Sequence, residues 1–80
     1  MASTFEVLAE PRRRDILDLL RAGERPVGEL VDALSLSQPA VSKHLKVLRD
    51  AGLVGSERRG LWAYYYVMPD ALEELSAWLS

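Results

Sequence analysis

Apolar residues recur at steps of three and four through most of the chain, and proline, glycine and serine divide them into short segments. Ser3 begins the first segment. With Glu6 three positions on it forms a capping box, and it places Phe5, Leu8 and Ala9 on one helical face. Pro11 restricts Glu10 and suits the start of a second helix, about 11–21, whose stripe is Ile16, Leu17, Leu19 and Leu20 and whose stop is Gly23. Pro26 opens a third helix, about 27–34, with Val27, Leu30, Val31 and Leu34 as its apolar line. Ser35-Leu36 makes a tight connection. Ser37 then caps a fourth helix that carries Val41, His44, Leu45, Val47 and Leu48 and ends at Gly52.

The period changes after Gly52. The run 61–67, Leu-Trp-Ala-Tyr-Tyr-Tyr-Val, is aromatic and strand-prone. With the segment from Leu53 to Arg58 and a tip at Arg59-Gly60 it predicts a hairpin. Alternation puts Trp62, Tyr64 and Tyr66 on one face and Tyr65 on the other, which favours packing over base stacking for the tyrosines. A last helix starts at Pro69 or Asp70 and lines up Ala71, Leu72, Leu75, Trp78 and Leu79. The predicted fold is mainly α with a small β-hairpin: a winged helix-turn-helix of about five helices and a two-stranded wing, forming one domain over 1–80.

Size and composition narrow the function. Eighty residues make one small domain with no linker or repeat. The absence of cysteine removes disulfides, thiolate ligands and thiol chemistry from this sequence, and fits a cytosolic setting. With a single histidine and no glycine-rich phosphate loop there is no nucleophile–base pair, so an enzyme is not expected. No apolar run is long enough for a membrane span, and Met1–Glu10 lacks the basic-then-apolar order of a signal peptide.

The net charge of −2 is unevenly distributed. Residues 37–60 hold Lys43, Lys46, Arg49, Arg58 and Arg59 against Asp50 and Glu57, a local balance of +3, and the remainder stands at −5. That is the pattern of a phosphate-contacting face on an acidic body. In a helix-turn-helix the start of the second helix enters the major groove. Gln38, Ser42 and Lys43 are therefore candidates for base edges, Ser37 and Lys46 for phosphates, and Pro39 and Ala40 for a thymine methyl. His44 also lies in this helix, although its spacing suits a half-buried position. Arg58 and Arg59 at the wing tip suit a neighbouring minor groove. The cluster Arg12-Arg13-Arg14 beside Asp15 and Asp18 reads as a solvated, salt-bridged face. Phe5, Leu8, Leu72, Leu75, Trp78 and Leu79 form a large apolar set near the chain ends, and pairing across a two-fold axis would cover it. The expected partners are double-stranded DNA and a second copy of the chain. A winged helix used only for protein contacts is the alternative, and the clustered cations weigh against it.

Several stretches together resemble the ArsR family of winged-helix regulators. They are Leu8 to Arg14, Val27 to Leu30, Ser37-Gln-Pro-Ala-Val-Ser-Lys-His-Leu-Lys-Val-Leu48, and Ala51-Gly-Leu-Val54. The resemblance implies a dimeric repressor that leaves its operator when an inducing signal arrives. Arsenic and cadmium sensors of that family carry cysteines just after the Glu-Leu of the third helix, where this chain has Val31 and Ala33. Its zinc sensors use histidine and acidic ligands on the last helix, which here offers Asp70, Glu73 and Glu74 without histidine. The resemblance is thus to the branch that senses no metal, and no metal or cofactor is expected.

Overall fold

The computed structural model describes residues 3–79, with side chains through Ala77. Five helices and three strands follow one another as α1 (Thr4–Leu8), α2 (Pro11–Arg21), β1 (Arg25–Pro26), α3 (Val27–Leu34), α4 (Gln38–Asp50), β2 (Val54–Arg59), β3 (Trp62–Val67) and α5 (Pro69–Leu79). The helix boundaries follow from local chemistry. Ser3 Oγ accepts from the Glu6 amide at 3.1 Å and donates to the Glu6 carboxylate at 3.3 Å, so the predicted box closes through the hydroxyl. Glu10 caps α2 by accepting from the Arg12 amide at 3.2 Å, with Pro11 in the first turn. Ser35 turns the chain between α3 and α4 in the left-handed region, at φ 53°.

The end of α4 sets the direction of everything after it. Gly52, at φ 77°, donates to the Arg49 carbonyl at 2.9 Å, and Leu53 donates to the Leu48 carbonyl at 3.0 Å. This pair of bonds is a Schellman motif, and the side chains that accompany it, Leu48 and Leu53, are both buried. The chain therefore leaves the helix in one fixed direction and enters β2. Met68 donates back to the Leu53 carbonyl at 3.0 Å, which closes the base of the hairpin.

The sheet has three strands in the order β1-β3-β2, all antiparallel. The hairpin is predicted correctly except at its tip, where Arg59 ends β2 opposite Trp62 and Gly60-Leu61, rather than Arg59-Gly60, make the turn; β1 is absent from the sequence-based expectation. Arg25 pairs with Tyr65 and Pro26 with Tyr64, so this two-residue strand exists only through its partner. One sheet face, with Val54, Val67 and Tyr65, packs on the helices. The opposite face carries Gly55, Glu57, Arg59, Trp62, Tyr64 and Tyr66, and Trp62 stays 60% exposed.

The core joins Val7 and Leu8 of α1, Ile16, Leu17 and Leu20 of α2, Leu30 of α3, and Val41, Leu45 and Leu48 of α4 to Leu53, Val54, Val67, Ala71 and Leu75. Two expectations are corrected here. The buried face of α1 is Val7-Leu8, while Phe5 is 65% exposed and Ala9 is exposed. A five-residue helix is too short for a longer stripe, and α1 buries the two residues at its end. The apolar set assigned to a partner also divides. Leu8 and Leu75 close the protomer's own core, and Phe5 and Leu72, the latter 41% exposed, remain outside it. The side chains of Trp78 and Leu79, also assigned to that set, lie outside the described residues.

Candidate nucleic-acid interface

Serine 37 starts α4 with an extended backbone, and its Oγ accepts from the Ala40 amide at 3.3 Å. Ala40 N–H is held by the cap, Val41 N–H donates to the Ser37 carbonyl and Pro39 has no N–H, so within the first turn of α4 Gln38 keeps the one uncommitted amide; Gln38 and Pro39 are both exposed. One turn on, Ser42 and Lys43 are exposed as well, while Val41, Leu45 and Leu48 anchor the opposite side in the core. The helix thus shows its polar face to solvent from the cap through Lys46 and Arg49. Ala40 is half-buried beside this face.

His44 sits off that face. It is half-buried, and its Nδ1 accepts from Arg13 Nε at 3.4 Å. Partial burial and then the Arg13 charge hold its pKa below the ordinary histidine range, with Glu10 opposing. The neutral ring therefore links α2 to α4, as its spacing suggested.

The arginine cluster on α2 differs from the expected solvated face. Arg12 pairs with Asp15 at 3.9 Å, but Arg13 donates to the Val7 carbonyl at 3.2 Å and Arg14 to the Leu8 carbonyl at 2.6 Å. Carbonyls at the end of α1 lack helical partners, and these two guanidinium groups supply them. Asp18 pairs instead with Arg21, at 3.4 Å.

The two wing arginines separate. They are adjacent in β2, so their side chains leave opposite faces. Arg58 stands opposite Ala63, on the same face as Ser56 and Tyr65, which is the face turned toward the helices. Arg59 stands opposite Trp62 on the outer face. There it bridges to both carboxylate oxygens of Glu24, bonds Glu57 at 2.9 Å and lies 4.8 Å from the Tyr64 ring centre. The hydrogen bond from Arg59 holds the Glu24 carboxyl below its usual range, and the two carboxylates raise the already high arginine pKa further. Arg59 fastens the wing to the loop before β1.

These contacts reduce the positive charge to a simple pattern. Arg12, Arg21, Arg25, Lys46 and Arg59 are in ion pairs, and Arg13 and Arg14 hold backbone carbonyls. Among the described cationic side chains only those of Lys43, Arg49 and Arg58 have neither an ion pair nor a hydrogen bond, and all three lie on α4 or the wing. The sequence reading had not placed Arg49 in the site, although it falls on the same helical line as Gln38, Ser42 and Lys46.

A model of the bacterial regulatory proteins of the arsR family matches residues 10–56, from the cap of α2 into the wing. The chain belongs to this family. It is 32% identical to the transcriptional repressor SdpR of Bacillus subtilis, over 99% of this chain and 88% of that protein. It is 43% identical to the arsenic resistance transcriptional regulator ArsR1 of Pseudomonas putida, over 94% of this chain but 59% of that protein. Among solved structures it superposes with a TM-score of 0.79 and 35% identity on Mb0332 from Mycobacterium bovis, over 94% of this chain and 67% of that one. Mb0332 is described as a homodimeric winged helix-turn-helix DNA-binding domain and a possible ArsR-family transcriptional regulator. The chain is accordingly a DNA-binding transcriptional regulator of the winged helix-turn-helix type. No helix among the described residues is long and apolar enough to cross a membrane, and no three histidine, cysteine, aspartate or glutamate side chains among them are grouped to hold a metal ion.

Proposed function

We propose that the chain is a cytoplasmic, homodimeric repressor of its own operon that reads a pseudo-palindromic operator with two copies of α4. The observation that carries this reading is the placement of the uncommitted cations: Lys43, Arg49 and Arg58 all lie on α4 or the wing of a chain whose net charge is −2. The first turns of α4 enter the major groove, where Gln38 reads adenine, Lys43 guanine, and Ser42 either. Pro39 and Ala40 pass close to thymine methyls. Ser37 and Lys46 meet phosphates, and Arg58 reaches the adjacent minor groove from the wing.

Residues 1–80 act as one domain in this reading, and α1 and α5 form the two-fold contact. Among the described side chains Phe5 and Leu72 are the large exposed apolar ones there, and burying them against a second copy stabilises by about 25 cal/mol per Å² of apolar area removed from water. The similarity to the homodimeric Mb0332 domain supports association into a dimer.

Fluorescence anisotropy with a duplex from directly upstream of the gene, beside a scrambled duplex, tests the reading. Tight binding to the first alone, lost in the Gln38→Ala, Lys43→Ala double variant, is the expected result. Equal affinity for both duplexes, or affinity unchanged in the double variant, overturns base reading through α4.

A further inference from the structure

A groove of about 400 Å³ runs between α4 and the sheet, lined by Ser42, Leu45, Lys46, Arg49, Asp50 and Tyr65. Its floor is Leu45, which is buried. Its helix wall carries the Ser42 hydroxyl, the Lys46 ammonium and the Arg49 guanidinium, and its sheet wall is Tyr65, whose ring packs partly on the core. Asp50 is the one carboxylate, and Lys46 Nζ holds it at 3.0 Å. The side chains of Arg49 and Tyr65 make no hydrogen bond with any described residue. Arg58, on the same face of the hairpin as Tyr65, continues the cationic line toward the wing tip.

We infer that this groove is a seat for one DNA backbone phosphate, with Arg49 and Tyr65 as its main donors. The inference rests on the reading that α4 and the wing enter neighbouring grooves of one duplex. Major and minor grooves are separated by a single sugar–phosphate strand, so a protein that occupies both must pass that strand between its two probes. In this molecule the space between the probes is the groove. A phosphodiester is a monoanion that only accepts hydrogen bonds, and the wall groups Ser42, Lys46, Arg49 and Tyr65 can all donate. Tyr65 is suited to fix distance because its ring is braced by the core. Arg49 supplies the charge. The seat therefore sets how deeply α4 sits and contributes equally on every sequence.

The test uses the full chain with the two labelled duplexes, promoter-derived and scrambled, across a salt series. Arg49→Gln is expected to weaken both duplexes by the same factor. It lowers the slope of log affinity against log salt by about 0.9 per bound protomer, the signature of one lost phosphate contact. Tyr65→Phe keeps the ring on the core and removes one neutral donor. It weakens both duplexes by about three- to tenfold and leaves the slope unchanged, because a hydroxyl displaces no counterion. Arg21→Gln, which removes a cation already paired with Asp18 on α2, keeps the wild-type slope. A wild-type slope in Arg49→Gln, or wild-type affinity in Tyr65→Phe, overturns the seat while leaving DNA reading by α4 intact. Failure of the unmodified chain to bind either duplex with salt dependence overturns both.

Discussion

Glycine 55 shows how tightly the outer face of the wing is built, and the effect of a single added methyl group there is calculable. Gly55 stands opposite Tyr66 in the β2–β3 register, so the two share a face. A Cβ at position 55 would lie 2.7 Å from Tyr66 Oη, 2.8 Å from Cζ and 2.9 Å from Cε1. The tyrosine ring covers the glycine, an arrangement that protects the gap a glycine leaves in a strand. Gly55 does not have a positive φ, so alanine fits its backbone. On backbone grounds alone Gly55→Ala would then stabilise by about 0.4–1 kcal/mol, through the unfolded chain. Against this, three contacts under 3.0 Å force the ring off its site, and overpacking of this kind costs about 1–3 kcal/mol. The clash wins. The net loss is about 1 kcal/mol, which for a domain this small lowers Tm by about 4–8 °C. In a Tyr66→Ala background the clash is gone and the same substitution should stabilise. Thermal and urea unfolding of the four proteins of the cycle, at one fixed protein concentration because association shifts the midpoint, gives the coupling. The expected coupling is about 1.5–2 kcal/mol, the net loss plus the stabilisation recovered without the ring. Additivity within about 0.5 kcal/mol, or destabilisation by alanine in both backgrounds, refutes the assignment of Tyr66 to the space above Gly55.

Two further outcomes follow from the site. Arg58→Gln should lower the salt slope of DNA binding by about 0.9 per protomer, which across a fourfold rise in salt is about a 3.5-fold difference per contact. Arg59→Gln should leave that slope alone, because Arg59 is on the outer face with Glu24 and Glu57; a reversed result would mean the wing presents its other face. His44 predicts acid sensitivity of the fold. Its folded-state pKa lies below the ordinary value of 6.5, so its contribution is fully present above that value. It is lost as pH falls, because the unfolded chain binds a proton while the native ring still resists one. Unfolding midpoints measured from pH 7.5 down to 5 should decline more in the native chain than in His44→Gln. Parallel curves would show that the ring is not held neutral by Arg13 and burial.

What the sequence made legible was local. The bounds of α2, α3 and α4 were readable, and the hairpin tip to within one residue, because Pro11, Gly23, Pro26, Ser37, Gly52 and Gly60 act on their immediate neighbours. The missed features are joined across the chain. Strand β1 is two residues long and includes a proline, and only Tyr64 and Tyr65, some forty positions away, make it a strand. Arg59 and Arg58 are equivalent as letters, and the difference between them depends on Glu24, 35 positions upstream. The guanidinium groups of Arg13 and Arg14 were assigned to aspartates by spacing along one helix. They bond instead to the end of α1, which folds back beside them. Leu8 and Leu75 belonged to the right apolar set but to the protomer's own core, since hydrophobicity marks burial without saying which surface provides it.

An acidic chain binding a polyanion needs its charge arranged rather than abundant. With a net charge of −2, the field of this protein at long range does not attract DNA, and the residues outside 37–60, at −5, repel it. That repulsion has a use: it disfavours every approach except the one that brings α4 and the wing forward. On that face the structure withholds Lys43, Arg49 and Arg58 from internal pairs, while cations elsewhere are neutralised by neighbours such as Asp15, Asp18, Glu24 and Glu29. Three free cations in each copy and the Asp50-paired Lys46, doubled in the proposed dimer, limit the salt slope to about −7, below that of strongly basic DNA binders. A small electrostatic contribution makes non-specific binding weak, so the contacts that read bases carry a larger share of the affinity. On the proposed reading, discrimination between operator and bulk DNA then depends mainly on the first two turns of α4, and the Schellman motif at Gly52 ties the exit of that helix to the position of the wing.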